Sequence, residues 1–383
     1  MPSRDNELLI DLVRGITALL VLVAHVLGLL ADPLLGADRA LWPAGWQLLI
    51  ATLGNGRFWV RIFFFISGFC IHQSISRSLE RGGFDLRHYA IARITRIYPL
   101  FLIGLALAVT AWWVGGSVVF PVKEMLASLF MAQHFTGSFP SFAPSWSLTD
   151  EAVYYAAWPL AILCCKGRPR MALHRSTVLT LLVTLVTVAI WKIWFGGDQS
   201  HWLITVWVIS GLFVVWLAGA GLAIYWQPVQ TWVTRRKWFI GIAWVLAVYL
   251  VEGALTYYQA RSWTFMLADY LAIPGFAILV AGGHYCRLSA FPGWTAVARW
   301  MGVFSYPCYL LHLPVFELLQ GLMKPFAQPA HPLLPLLLVL AVTLLFIATA
   351  GIALERYFMR CRARLMKSFV RIPEGGSAVV AAS

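Results

Sequence analysis

A positive side chain and a histidine share one face of the first apolar segment of this chain. Arg14 and His25 both fall within residues 8–30, where nearly all neighbours are apolar. Their separation of eleven residues turns an α-helix through about 1100°, close to three full turns, so both side chains point the same way about 16 Å apart. Ionisable groups at membrane depth are costly and usually functional. This face is therefore where we look for chemistry.

The elements that must position this pair are membrane-spanning helices. The chain has 383 residues, of which 60% are hydrophobic and only 12% charged, whereas a soluble domain is about one-quarter charged. Apolar segments of about 20 residues are long enough to cross a bilayer. Ten occur, at 8–30, 57–76, 97–114, 150–165, 176–195, 202–225, 238–256, 263–283, 300–320 and 333–355. The sequence predicts an all-α, polytopic integral membrane helix bundle of about ten helices.

The distribution of positive charge predicts the topology. The formal net charge is +13, and Lys and Arg cluster after the second, fourth, sixth and tenth segments. By the positive-inside rule these loops are cytoplasmic, which places both termini in the cytoplasm. Orientation in the membrane thus explains the excess charge, and no nucleic-acid partner is predicted. The first segment is long and lacks a small-residue cleavage pattern, so we expect it to remain as a helix.

One membrane domain is predicted over residues 1–371, followed by a Gly- and Ala-rich tail, 372–383, that we expect to be disordered. The loops are too short for a soluble catalytic domain, so any catalysis must take place within or beside the helices. The six cysteines have no metal-ligand spacing. We therefore predict neither a disulfide nor a metal site.

Four local patterns follow one another along the chain. They are Asp11-Leu-Val-Arg14-Gly15 with His25; Phe63-Phe-Phe-Ile-Ser67-Gly68-Phe69 followed by Arg93-Ile-Thr-Arg96; Ser145-Trp146-Ser147-Leu148-Thr-Asp-Glu151 with Tyr154-Tyr155; and Ser305-Tyr306-Pro-Cys-Tyr309-Leu-Leu-His312. In this order and spacing, the chain resembles the membrane-bound acyltransferase 3 family over residues 8–355. It departs from the family pattern at Pro307, where a small non-proline residue is usual, so we expect a different bend there.

The resemblance implies an O-acyltransferase of the bacterial cytoplasmic (inner) membrane. Members of the family take short acyl groups, most commonly acetyl, from acyl-CoA in the cytoplasm. They transfer the group to a hydroxyl of a glycan, a lipid-linked saccharide or a glycosylated metabolite. The implied partners of this chain are the lipid bilayer, acyl-CoA and such an acceptor, with no metal cofactor.

His25 and Glu151 are the candidate catalytic residues. Transfer from a thioester to an alcohol needs a group that removes the hydroxyl proton, and imidazole has a suitable pKa. A covalent acyl-histidine is the alternative role for His25, and hydrogen-bonded packing between helices is the non-catalytic one. Glu151 opens the fourth segment from the outer side. There it could orient an imidazole or bind sugar hydroxyls. Its non-catalytic role would be to stabilise the helix, because the helix dipole favours a carboxylate near the N-terminus.

The remaining candidates bind substrate. Guanidinium groups bind phosphate in pairs, so Arg93 and Arg96 are predicted to hold CoA, with Arg14 beside them; positive-inside topology alone would also explain these arginines. Ser67 is predicted to line the acyl channel or to serve helix packing. Two aromatic residues, Trp146 and Tyr155, could stack on sugar rings. His312 is either a binding residue or a structural one.

These placements predict a route across the membrane. The donor-binding arginines lie on the cytoplasmic side and His25 with Glu151 on the outer side, so the pantetheine arm of CoA would reach a buried site from within. Two rival functions use the same features. A secondary transporter or exporter also carries intramembrane His, Arg and Glu, and a non-catalytic assembly subunit would not depend on His25.

Overall fold

The computed structural model describes residues 2–35, 43–81, 83–116, 118–196, 202–257, 264–323 and 333–370. The predicted disordered tail, 372–383, lies outside these ranges. The described residues form fifteen α-helices joined by short turns. A π-helical turn, Ile347–Gly351, joins the last two helices, and a 3₁₀ turn, Ala143–Ser145, precedes the seventh.

The helices are numbered in chain order. In the first half they are α1 Arg4–Leu35, α2 Ala44–Leu53, α3 Gly56–Glu80, α4 Leu86–Val114, α5 Val122–Leu129, α6 Gln133–Thr136, α7 Trp146–Cys164 and α8 Pro169–Phe195. In the second half they are α9 Leu203–Ile224, α10 Trp226–Trp232, α11 Arg235–Tyr257, α12 Thr264–Ala281, α13 Pro292–Met323, α14 Leu333–Phe346 and α15 Ile352–Val370. Helices predominate because lipid offers no partner to backbone polar groups, and a helix satisfies them internally.

Within the described ranges, nine helical segments are long and apolar enough to cross a membrane. They are Arg4–Gly28, Ala44–Glu80, Leu86–Val114, Pro169–Phe195, Leu203–Ile224, Arg235–Thr256, Leu267–Ala290, Pro292–Met323 and Leu334–Lys367. Nine of the ten predicted segments thus coincide with candidate spans in the described part of the chain. The difference is the segment 150–165, which is helical as α7 but contains Asp150 and Glu151 in its first turns. The cytoplasmic location of both termini stays a prediction.

Side chains on the loops determine where two central helices begin. The Asn55 side chain accepts a hydrogen bond from the backbone N–H of Phe58 at the start of α3. The Asp85 carboxylate accepts from the N–H of Arg87 at the start of α4. Such caps satisfy backbone donors that have no partner within the helix. They place the first turns of α3 and α4 at opposite ends of the bundle.

The core of the bundle is built around α1, α3 and α13. Helix α1 packs along α13 and α3, α3 packs along α9, and α13 packs along α4. The contact between α3 and α9 is very close because both helices place a glycine at it, Gly68 and Gly219, where an added Cβ would overlap the backbone of the other helix. Small residues allow such approaches between helices in lipid.

Helix α13 continues through two prolines, Pro307 and Pro314, as one helix of 32 residues. Pro307 lies against the π-helical turn, where a Cβ added to Gly351 would be 3.2 Å from the Cβ of Pro307. The irregular turn of one helix thus faces the proline of its neighbour.

Candidate functional site

The first cavity of interest has a volume of about 200 Å³ and lies between α1, α3, α4, α7 and α13. We call it the arginine cavity, because three arginines, Arg14, Arg93 and Arg96, line it. Glu151 and Ser67 line the same space. Arg14 contributes from the N-terminal half of α1, and Arg93 and Arg96 from the N-terminal half of α4.

Glu151 forms a compact hydrogen-bond network in this cavity. Its Oε1 accepts from the Ser67 hydroxyl at 2.6 Å and from the Tyr155 hydroxyl at 2.5 Å. The hydroxyl oxygens of Ser67 and Tyr155 are 3.1 Å apart, and the indole N–H of Trp216 donates to Ser67 Oγ at 3.3 Å. Two candidates from distant motifs, Ser67 and Glu151, are thus directly bonded to each other.

The two arginines of α4 have different surroundings. Arg96 forms an ion pair with Glu355 of α15, and its guanidinium lies 5.0 Å from the ring centre of Tyr306. The guanidinium of Arg93 lies 5.3 Å from the ring centre of Tyr89, one turn earlier on the same helix. Arg96 is therefore held by a carboxylate that the sequence analysis did not single out.

The second cavity has a volume of about 330 Å³ and lies toward the C-terminal end of α1. We call it the histidine cavity, because His25 and His134 both line it. Trp146 and Arg57 contribute to the same wall. It contains none of the residues predicted to bind CoA.

The hydrogen bonds of His25 determine which of its nitrogens can act as a base. Nδ1–H donates to the carbonyl oxygen of Val21 at 2.8 Å, and a carbonyl oxygen can only accept, so Nδ1 holds the proton. The neutral ring then keeps a lone pair on Nε2. His312, which is 2% exposed, lies behind His25, with its Nε2 at 3.3 Å from His25 Nδ1. The Nδ1–H of His312 donates to Cys308 O at 2.9 Å.

A second imidazole in this cavity was missed by sequence reasoning. His134 lies on the short helix α6, and its Nδ1 is 2.6 Å from Oδ1 of Asp150, a fully buried carboxylate on α7. The His134 ring meets the Trp146 ring edge-on at 5.4 Å. A histidine in a loop followed sixteen residues later by an aspartate carries no spacing signal in the sequence; only the folding of α6 onto α7 pairs them.

The two cavities share two residues of their walls, Val60 of α3 and Tyr309 of α13. The Tyr309 hydroxyl donates to the carbonyl oxygen of Pro144 at 2.6 Å and lies 2.6 Å from Ser147 Oγ. Tyr309 is thus fixed between the arginine cavity and the histidine cavity by the turn that leads into α7.

Glu151 was predicted to open its segment from the outer side, which stays a prediction. In the structure it lines the arginine cavity with Arg93 and Arg96. It bonds to Ser67 and Tyr155, and among the described residues the carboxylate that orients a histidine in this region is its neighbour Asp150. In a helix, adjacent residues point about 100° apart. The side chains at 150 and 151 therefore point in different directions, Glu151 into the arginine cavity and Asp150 to His134.

A buried ionic cluster contains none of the predicted catalytic or substrate-binding residues. Arg61 of α3 pairs with Glu252 of α11 and Asp269 of α12, and all three side chains are at most 1% exposed. The second Arg61–Glu252 contact measures 2.8 Å. The signal in the sequence is a charge inside each of three apolar spans. No group of three or more His, Cys, Asp or Glu side chains that could hold a metal occurs in the described part of the chain.

Comparison with known proteins gives one match over nearly the whole chain. The model of the family described as an acyltransferase domain, acyltransferase 3, matches residues 8–354. This range includes every residue that lines the two cavities. No solved structure gives a significant match.

Individual relatives are more distant. A Bacillus subtilis protein named peptidoglycan O-acetyltransferase YrhL is 27% identical over 303 residues, which are 69% of this chain but 45% of that protein. Protein 2 in the picA locus of Rhizobium radiobacter is 26% identical over 49% of this chain and 94% of its own length. An uncharacterized Haemophilus influenzae protein is 28% identical over 43% of this chain and 73% of its own. This chain thus spans less than half of the Bacillus protein.

Proposed function

This chain belongs to the acyltransferase 3 family, and we propose that it transfers an acyl group from acyl-CoA, acetyl by default, to a hydroxyl of a glycan, a lipid-linked saccharide or a glycosylated metabolite. The observation that carries this proposal is the arrangement of the two cavities. One is lined by three arginines, the other by an imidazole with a free lone pair, and only Val60 and Tyr309 are common to their walls.

The arginine cavity suits the donor. CoA carries several phosphate charges, and guanidinium groups bind phosphate by paired, charge-assisted hydrogen bonds. Arg93 and Arg14 would hold these phosphates, and Arg96 would join them by exchanging its partner Glu355 for phosphate. The thin pantetheine arm would then pass Ser67 and reach the boundary at Tyr309, so that the thioester carbonyl meets the histidine cavity.

The histidine cavity suits the acceptor and the chemical step. His25 Nε2 takes the proton of the acceptor hydroxyl while the hydroxyl oxygen attacks the thioester carbonyl carbon. The carbon–sulfur bond breaks, and the imidazolium returns the proton to the thiolate of CoA. In the covalent alternative, Nε2 attacks the thioester carbonyl carbon and the thiolate of CoA leaves. The acceptor hydroxyl then attacks the acyl group, the carbon–nitrogen bond breaks, and the hydroxyl proton passes to the thiolate. Both routes need the proton of His25 on Nδ1.

Glu151 would act from the donor side. With Ser67 and Tyr155 bonded to its Oε1, it positions two hydroxyl groups along the path of the pantetheine arm and neutralises part of the arginine charge. Trp146 would stack on an acceptor ring in the histidine cavity, and Tyr155 would serve the donor side. We propose His312 as a residue that positions His25.

The decisive experiment measures transfer of radiolabelled acetyl-CoA into lipid, glycan and small-molecule fractions by membranes that contain the full chain. We compare the natural chain with His25→Ala and with the matched control His174→Ala, which changes an exposed histidine on α8. All three must be present at equal levels in the membrane. Label that requires His25 and not His174 supports the proposal and identifies the acceptor fraction.

Two results would contradict it. Equal label from the natural chain and His25→Ala would exclude His25 as the essential group. No donor consumption by the natural chain would favour the transporter, which moves a substrate without acyl-CoA.

Incubation without acceptor separates the two chemical routes, because only the covalent route leaves label on the protein. Sealed vesicles with donor on one side and acceptor on the other test the route across the membrane.

A further inference from the structure

The pair formed by His134 and Asp150 is not used by the proposed transfer, although it faces the same space. His134 lines the histidine cavity together with His25. Its Nδ1 lies 2.6 Å from a carboxylate oxygen of Asp150, whose side chain is completely buried, while the His134 side chain is 16% exposed. A buried carboxylate thus stands behind a ring that is open to the cavity.

This contact determines the protonation of the ring. A carboxylate accepts hydrogen bonds, so His134 Nδ1 is the donor, and the neutral ring keeps its lone pair on Nε2. No described residue bonds to that nitrogen. Since Nδ1 is turned to Asp150, Nε2 is the ring nitrogen left for a ligand in the cavity.

His25, which lines the same cavity, has the same arrangement. Its Nδ1–H is directed to Val21 O, which leaves Nε2 as an acceptor as well. One cavity of about 330 Å³ therefore contains two imidazoles whose lone pairs are both available. A single reacting hydroxyl needs only one of them.

We propose that His134 is an acceptor-binding residue, and that its Nε2 accepts a hydrogen bond from a second hydroxyl of the acceptor while His25 deprotonates the reacting hydroxyl. The inference rests on the proposed function and adds to it a residue that binds the acceptor. The acceptor then presents a second hydroxyl beside the reacting one, as a saccharide does. A site built to bond a substrate hydroxyl discriminates strongly against molecules that lack it.

Trp146 supports this class of acceptor. Its ring meets His134 edge-on at 5.4 Å and lines the same cavity. An aromatic ring beside a hydrogen-bond acceptor gives a sugar both an apolar face to pack on and a partner for a hydroxyl. Together the two side chains define one subsite.

The backbone of His134 is held independently of its ring. Its N–H donates to Thr149 Oγ1 at 3.4 Å, and its carbonyl oxygen accepts from Thr205 Oγ1 at 3.3 Å. The neighbouring Gln133 side chain donates to Ser145 O at 2.6 Å. A change of the imidazole alone therefore leaves the α6 turn attached to α7 and α9, so variants at 134 are expected to fold.

The test uses two variants that each keep one half of the imidazole. In His134→Asn, the amide N–H occupies the place of Nδ1 and still donates to Asp150, but nothing reaches the cavity. In His134→Gln, the amide reaches the place of Nε2 and presents a polar atom to the cavity. His174→Gln is the control. Membranes that contain each full chain receive labelled acetyl-CoA, and both the label in the membrane glycan fraction and the free labelled acetate are measured.

We expect His134→Asn to lower the ratio of transferred to hydrolysed acetyl about tenfold, the effect of one lost hydrogen bond to substrate. Hydrolysis should not fall with transfer, because a water molecule needs His25 as its base but no contact with His134. His134→Gln should recover part of the ratio. The inference fails if His134→Asn leaves the ratio unchanged, if transfer and hydrolysis fall together, or if both variants lose transfer equally. Absence of any donor consumption by the natural chain would instead refute the proposed function.

Discussion

His312 Nε2 lies 3.3 Å from His25 Nδ1, so two histidines from spans at opposite ends of the sequence are in direct contact. Each ring also donates Nδ1–H to the carbonyl oxygen four residues earlier in its own helix. His312 therefore cannot offer a proton to His25 in the neutral state. It accepts part of the His25 Nδ1–H bond and fixes the plane of that ring.

This contact predicts different effects for the two histidines. His25→Ala should lower kcat by about 100-fold to 10,000-fold, the usual contribution of a general base. His312→Phe keeps the ring volume but removes the acceptor, and we expect a loss of about tenfold in kcat. The donor KM should stay unchanged. Steady-state transfer kinetics check this, and an equal loss in both variants would mean that His312 takes part in the chemistry itself.

The Glu151 network predicts a graded series in the arginine cavity. Glu151→Gln keeps the shape but adds amide donors facing the hydroxyls of Ser67 and Tyr155, and we expect at least about tenfold lower kcat/KM. Ser67→Ala and Tyr155→Phe each remove one donor and should cost less. Transfer assays at equal protein levels test the order. An inactive Tyr155→Phe beside an active Glu151→Gln would contradict it.

The arginines of α4 predict a difference between donor binding and stability. Arg93→Ala should raise the KM for acetyl-CoA without lowering the melting temperature. Arg96→Ala should do both, because it leaves Glu355 buried without its partner, at a cost of about 1–3 kcal/mol. Acetyl-pantetheine, which lacks the phosphates of the nucleotide, is the control donor. Its KM should be the same for the natural chain and Arg93→Ala; a parallel rise would exclude phosphate binding.

The buried cluster of Arg61, Glu252 and Asp269 predicts a stability effect. Arg61→Met leaves two carboxylates buried without their cation, and breaking a buried pair in this way costs about 3–5 kcal/mol. The triple change Arg61→Met, Glu252→Gln and Asp269→Asn removes the charges together and should recover much of the loss. Thermal unfolding in detergent measures both. A stable but inactive Arg61→Met would instead point to a role in transport or proton movement.

The contact between α3 and α9 predicts a packing effect at Gly68. A Cβ there would overlap the backbone of Trp216, and overpacking of this kind costs about 1–3 kcal/mol. Gly68→Ala should therefore lower the melting temperature and shift Ser67 relative to Glu151. Gly28→Ala is the matched control, because nothing lies within 4 Å of a Cβ added there. Equal melting temperatures for the two variants would contradict the close approach.

The helical membrane fold was accessible from the sequence. Hydrophobic length is a local property, so all nine apolar spans of the described chain coincide with predicted segments, and only 150–165 differs. The polar residues at its start, Asp150 and Glu151, weaken its apolar character. The family, too, was recognised correctly, since its motifs are short and local.

The candidate site was only partly accessible. The sequence selected Arg14, Ser67, Arg93 and Glu151, which the fold assembles around one cavity. It did not show that Glu151 shares a cavity with Arg93 and Arg96, because the direction of a side chain depends on the neighbouring helices. The sequence also gave no indication of Glu355. Its role as the partner of Arg96 depends on packing between α15 and α4.

The sequence and the tertiary structure thus determined different features of this protein. The sequence by itself determined the helical membrane fold and the presence of Arg14 and His25 on one helix face, since both depend on composition and on the period of a helix. Only the tertiary structure decided that His25 meets His312, that Asp150 rather than Glu151 holds a histidine, and that His134 shares a cavity with His25. These pairs join different helices, from sixteen to almost three hundred residues apart, and their contacts arise from how whole helices pack, which no local pattern encodes.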